Sequence, residues 1–310
     1  MMGEDRKKRL WSFLRQAVSQ LAKTEVTGRR AVDGYLTGHH RSQQRGFSIE
    51  PADVRPYYPG DDPRYLDWRV YGRLDRLFVR QFEQESTMRC YLLVDGSASM
   101  GYGSGNDTKW EVSSFLSALL AYQTLRQGDA VGLVVFSNRI RSLIPPRRIF
   151  SHLRVLIEEL VHQIPSGDTS LVRLTEELVA MVPRRSLLVL ISDLLDDPDA
   201  LGKAARFLIS RGHDLLVFQV LDPFEVSFPF QVPSVFQDVE TKATVPTDPG
   251  LVADAYRRRV RQFLQICREK CLSAGADYFP LVAQNGWTEA VTRFLVWRAK
   301  RRGTFNLPGW

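Results

Sequence analysis

After Arg89 the chain settles into one repeating texture, a short apolar run followed by a longer stretch with apolar residues every three or four positions. Residues 90–94 are the first run, and Val112, Phe115, Leu116, Leu119 and Tyr122 after them share one face of a helix. Residues 130–136 form a second run, with residues 139–144 as a short neighbouring strand joined to it by Ser137 and Asn138. Ile149, Leu153, Leu156, Leu160 and Ile164 mark one helix, and Leu171, Leu174, Leu178 and Met181 another. Runs at residues 186–191 and 214–220, separated by a helix over 198–210, continue the pattern. A basic helix over 251–272, a strand at 277–280 and a helix over 288–300 complete it. Strands alternating with helices predict an α/β fold with a doubly wound, mostly parallel sheet covered on both faces. Ligands in such sheets bind at the carboxyl ends of the strands, where Asp95 and Asp193 both fall.

Outside this alternation the texture differs. Leu10, Leu14, Val18 and Leu21 predict an amphipathic helix over residues 5–24, docked on its own protein, and residues 37–85 read as β-rich and irregular. The expected division is therefore an N-terminal helix with a β-rich region over 1–88, an α/β domain over 89–300 and a tail over 301–310. Residues 222–249, rich in Pro, Phe and Val without a helical period, read as an excursion from the sheet, either a hairpin or a partner-facing loop.

Three cysteines in 310 residues argue against a disulfide framework and for a reducing compartment. Cys267 and Cys271, one helical turn apart, read as helix packing rather than half a zinc site. No stretch is long and apolar enough to cross a bilayer and none resembles a signal peptide, so a soluble, cytoplasmic protein is expected. The net charge of +7 suits nucleic acid, an anionic membrane or an acidic protein equally, and does not choose among them.

The chemistry concentrates in Asp95-Gly96-Ser97-Ala98-Ser99, directly after the first apolar run. A carboxylate and two hydroxyls at alternate positions on a turn can face one point, and oxygen-only clusters suit hard cations such as Mg²⁺ or Mn²⁺. The competing reading is an Asp turn with Ser99 capping the next helix. Gly167-Asp168-Thr169 and Asp193 stand on two later loops that such a sheet brings to the same edge. Together these residues resemble the metal-ion-dependent adhesion site of von Willebrand factor A-type domains. The resemblance implies Asp95, Ser97, Ser99, Thr169 and Asp193 as metal positions, with Asp168 a further candidate. It also implies a non-enzymatic centre that accepts an acidic residue from a protein client.

A second signature precedes the sheet. Arg45-Gly46-Phe47-Ser48-Ile49-Glu50, then residues 55–68 with Pro59-Gly60 as a type II turn, and later Arg80-Gln81-Phe82-Glu83 resemble the bacterial family known as domain of unknown function fifty-eight. Members of that family are typically encoded beside MoxR-type AAA+ ATPases, so the resemblance implies such an ATPase as partner in the assembly or maturation of protein complexes. Arg55, Asp61, Asp62, Arg64, Asp67 and Trp68 read either as a partner surface or as ion pairs that order the region locally.

Two other functions have a foothold. A Mg²⁺-dependent phosphoryl-transfer enzyme of haloacid-dehalogenase type would use Asp95 with Asp193, Asp196 or Asp197, but it calls for an Asp where Ser97 stands. A nucleic-acid surface would use the arginines of 257–261 and 298–302. No phosphate-cradling glycine loop is present, so ATP hydrolysis would belong to the partner.

Overall fold

The computed structural model of the chain describes residues 5–15, 51–59, 63–82, 88–240 and 242–283. It comprises two units, residues 1–35 with residues 88–310, and residues 36–87. Residues 16–24 of the expected first helix, the expected helix over 288–300 and the tail over 301–310 lie outside the described residues.

The first helix, α1, runs through residues 5–15. In the smaller unit β1 (Pro51–Pro56) pairs antiparallel with a later strand, β2 (Phe78–Phe82). A short helix, α2 (Trp68–Leu74), lies between them in sequence. It starts because the Asp67 carboxylate accepts from Arg69 N at 2.9 Å and Val70 N at 3.2 Å, and it ends at Asp75 in the left-handed conformation (φ 50°). The described part of the region expected to be β-rich and irregular holds this ladder, a bridge between Leu66 and Val79, a 3-10 turn over Pro63–Tyr65 and the capped helix.

The larger unit follows as β3 (Arg89–Asp95), α3 (Lys109–Arg126), β4 (Ala130–Phe136), β5 (Ile140–Arg147), α4 (Ser151–His162), α5 (Leu171–Met181) and β6 (Leu187–Ser192). Then come α6 (Pro198–Ser210), β7 (Asp214–Leu221), α7 (Pro223–Ser227), β8 (Ser234–Gln237), β9 (Thr244–Thr247), α8 (Pro249–Ala274) and β10 (Asp277–Val282). Six strands form one sheet in the order β10-β7-β6-β3-β4-β5, parallel throughout except for β5 at the edge. This is the doubly wound α/β architecture expected from the alternation. β3, β4 and β6 are covered on both faces, which is why their sequences are apolar without alternation.

From β3 the chain moves outward through β4 and β5, then returns to place β6 on the other side of β3. That reversal opens a crevice at the carboxyl ends of β3 and β6, the position where open α/β sheets bind ligands. The register Val94↔Ile191 brings Asp95 and Ser192 to the same level of the crevice.

α3 lies against β3 and β4 and packs on α4, while α5, α6 and α8 pack together. Leu93, Phe136, Leu190 and Val217 of the sheet meet Leu174, Leu201, Leu208, Cys267 and Cys271 of these last helices in one core. Cys267 and Cys271 are thus helix-packing residues, and burial pushes both thiols up to about 12. α1 docks on α3 through buried Leu10, Phe13 and Leu14, with the Phe13 and Phe115 rings 4.9 Å apart. The excursion holds α7, started by the Asp222 and Glu225 capping box, and the antiparallel β8–β9 hairpin. Among the described residues no helix is long and apolar enough to cross a membrane.

Candidate metal centre

β3 carries Asp95 to the edge of the sheet and buries it completely. The backbone then turns sharply: Ser97 N donates to Asp95 Oδ1 at 2.9 Å, and a 3-10 turn over Ala98–Gly101 returns Ser99 toward the start of the loop. The Ser97 and Ser99 hydroxyls meet at 3.0 Å, both buried. The expected alternative, Ser99 as the cap of the following helix, is not what forms. Thr108 caps α3, in a reciprocal box with Glu111.

The second loop is tied to the first by its backbone. Ala98 N donates to Gly167 O at 2.8 Å and Ser166 N donates to Gly96 O at 2.9 Å. Arg141, on β5, braces the same loop with bonds to Ile164 O (3.2 Å) and Ser166 Oγ (3.0 Å), while its Nε donates to Ser137 Oγ in the β4–β5 turn (3.0 Å). These restraints place the Thr169 hydroxyl 3.0 Å from both oxygens of Asp95. Asp168 beside it is exposed.

β6 supplies the third loop. The Ser192 hydroxyl donates to Asp95 Oδ2 at 2.6 Å and accepts from Leu194 N at 3.0 Å. Leu194 is buried and left-handed (φ 58°), a conformation that costs a non-glycine residue roughly 1–2 kcal/mol and marks a turn held by its surroundings. Asp193 is buried with both oxygens engaged, Oδ1 by Leu195 N at 3.2 Å and Oδ2 by Lys109 Nζ at 2.8 Å. Lys109 also reaches Glu225 Oε1 at 2.6 Å, and Gln219 Nε2 donates to Asp193 O at 2.9 Å.

The electrostatics follow from this enclosure. Burial, and then the charge of Asp193, raise the Asp95 carboxyl to about 6, against the hydrogen bonds from Ser192 and Ser97. Burial pushes Lys109 down, yet Asp193 and Glu225 outweigh it and leave the ammonium raised. Lys109 therefore stays charged and offsets one of the two buried aspartates.

Asp95, Ser97, Ser99 and Thr169 are thus joined by hydrogen bonds, and Asp193 faces Asp95 electrostatically while its own bonds run to Lys109. Among the described residues no group of three or more His, Cys, Asp or Glu side chains could hold a metal. A cation here would therefore rest on three hydroxyls with carboxylates in support. Such an all-oxygen set fits a hard divalent ion and leaves it short of electron density.

The second group of candidates sits in the smaller unit. Asp61, Asp62 and the side chain of Arg55 lie outside the described residues. Arg64 is exposed, Asp67 caps α2, and Trp68 is 64% exposed with its ring edge-to-face to Tyr71 at 6.1 Å.

Sequence reasoning missed Ser192, Lys109, Glu225 and Gln219. The signal for Lys109 was its place in the first turn of an apolar helix, where a cation opposes the helix dipole and calls for a buried carboxylate. Ser192 stood beside a residue already singled out, and a polar residue closing an apolar run was the available clue.

The family described as "Protein of unknown function DUF58" matches residues 53–265, more than half of the chain. The protein Rv1480 of Mycobacterium tuberculosis is 28% identical over 288 residues, covering 91% of this chain and 89% of that protein. Among solved structures, BatB from Bacteroides thetaiotaomicron is 15% identical with a TM-score of 0.47, covering 69% of this chain and 99% of that one. The SpRpn10 VWA domain is 8% identical with a TM-score of 0.40, covering 67% and 95% respectively. On the extent of the family match, the chain belongs to the DUF58 family.

Proposed function

We propose that the larger unit is a non-enzymatic, metal-dependent protein-interaction module of von Willebrand factor A type. The observation that carries this reading is the meeting of three separate loops at Asp95, where hydroxyls of Thr169 and Ser192 approach the carboxylate within 3.0 Å beside the paired Ser97 and Ser99. Ser97, Ser99 and Thr169 would hold Mg²⁺ or Mn²⁺, with Asp95 and Asp193 supplying charge.

When bound, the cation supplies a Lewis-acid seat for a carboxylate oxygen of a protein client. The remaining work belongs to the chain. Asp95 orients the Thr169 and Ser192 hydroxyls, Lys109 fixes Asp193, and the two backbone bonds between the first and second loops keep their hydroxyls together. No nucleophile or proton shuttle is needed for that task.

Two observations weigh against phosphoryl transfer. Asp196 accepts from Leu171 N at the start of α5, and Asp197 caps α6, so neither is turned to Asp95. Of the arginines a nucleic-acid surface would use, Arg257 is engaged by Ser227 O and Asp254, and those of 298–302 lie outside the described residues.

The partner follows from family resemblance: a MoxR-type AAA+ ATPase acting in complex assembly, with an acidic residue of the client at the metal. Calorimetric titration with Mg²⁺ tests the centre. The wild-type chain should bind one ion and Asp95→Ala none, and equal binding by both would remove the metal from the account. A pull-down from the native host should recover the ATPase with Mg²⁺ present and lose it with a chelator.

A further inference from the structure

α2 carries a face that the rest of the smaller unit leaves open. Among the described residues of that unit Val79 alone is buried, and Val70 is the half-buried residue of α2. Trp68, Tyr71 and Leu74 are instead 64%, 40% and 59% exposed. Spaced three residues apart, they form one stripe along the helix, with the Trp68 and Tyr71 rings in contact at 6.1 Å. Apolar side chains exposed singly need no explanation. A contiguous row that includes tryptophan and tyrosine has the composition in which protein interfaces concentrate their binding energy.

A second stripe runs beside the first. Arg69 and Arg73 stand one turn apart on α2 and Arg76 follows just past its end, all three exposed. Among the described residues none of the three guanidinium groups has a hydrogen bond or ion pair. The Asp67 carboxylate is spent on the amides of Arg69 and Val70, so Asp75 is the acid left on this face against three cations. Between the stripes lies Gly72, also exposed, where a Cβ would meet nothing within 4 Å. Glycine destabilises a helix interior relative to alanine, and no neighbour in the chain requires it here. Its bare backbone leaves a channel between the apolar side chains and the arginines.

We infer that this face of α2 docks a partner protein through an acidic segment that also carries apolar side chains. The carboxylates pair with Arg69, Arg73 and Arg76, whose planar forks suit carboxylate oxygens, and an apolar side chain lies over Gly72 against Trp68 and Leu74. Single-stranded nucleic acid, the other polyanion that arginine and aromatic rings attract, fits less well. Successive bases stack on rings that lie parallel to them, whereas the Trp68 and Tyr71 rings stand at 85° to each other and Leu74 has no ring to offer. The inference is independent of the metal reading, because every residue it uses belongs to the smaller unit.

The test uses the full chain in the presence of a chelator, with fluorescence anisotropy as the readout. The probe is a labelled amphipathic peptide of glutamate and leucine. Comparison probes carry glutamine for glutamate or serine for leucine, and a labelled oligo-deoxythymidine represents nucleic acid. The wild type should bind the glutamate–leucine peptide about tenfold more tightly than any comparison probe. Trp68→Ala and Arg73→Glu alter exposed side chains, so they should keep the wild-type melting curve and lose about tenfold in affinity for that peptide. Gly72→Gln should melt at or above the wild-type temperature, since glutamine is the better helix former, yet bind the peptide more weakly because its side chain fills the channel. No binding by the wild type, or unchanged binding by Trp68→Ala and Gly72→Gln, would overturn the inference. Tighter binding of the oligonucleotide, lost in Trp68→Ala, would overturn it in favour of nucleic acid. A lower melting temperature for Trp68→Ala would overturn it by showing that the face packs within the chain itself.

Discussion

Asp95 is a carboxylate placed where its charge is hard to keep. It is fully buried, faces a second buried aspartate, and its carboxyl is raised to about 6. Its folded value therefore lies above the usual aspartate value near 3.9 in the unfolded chain. The fold consequently binds the proton more tightly than the unfolded chain, and the stability this proton confers is complete below about pH 4 and lost as pH rises through about 6. In metal-free protein Asp95→Asn removes that loss. It should match wild type at pH 4 and exceed it by about 3 kcal/mol at pH 8, read from urea unfolding at the two pH values. A constant difference across that range would show that the Asp95 charge is already balanced in the folded state. Asp95, Ser97 and Ser99 were legible in sequence because a single short motif fixes their spacing. Ser192 and Lys109 were not, because a serine ending a strand and a lysine opening a helix acquire meaning only when topology brings them to Asp95 and Asp193.

Elements were legible where one force set them. The runs of β3, β4 and β6 announced buried parallel strands through unbroken hydrophobicity, and α3 through α6 through helical spacing. Legibility failed where local capping decided the outcome. α2 exists because Asp67 takes two amide protons, and α7 because Asp222 and Glu225 cap it reciprocally, signals too short for periodicity to reveal. The β4–β5 pair depends on a different local fact. A Cβ at Gly132 would stand 2.6 Å from Ile144 O and 2.9 Å from Pro146 N, at the point where the register between the strands shifts. Glycine inside a strand marks such a close approach of backbones. Gly132→Ala must push β5 outward and with it Arg141, the brace of the second loop. The substitution should lower the unfolding free energy by about 1–3 kcal/mol, seen as a lower urea midpoint at unchanged slope. An unchanged midpoint would mean that the two strands have room to part without cost.

At the scale of the molecule, the sheet order places β3 and β6 side by side after the chain has reversed direction, and the crevice between their ends receives all three loops. The strand and helix order was enough to expect that convergence, whereas the excursion was legible only as a departure from the sheet. The account as a whole requires a cation among the hydroxyls of these loops. Crystals of the full chain grown with Mn²⁺, with diffraction recorded at the manganese absorption edge, test this most directly. The account predicts one anomalous peak bonded to the hydroxyls of Ser97, Ser99 and Thr169. No peak in the crevice, or a peak held by other residues, would contradict it.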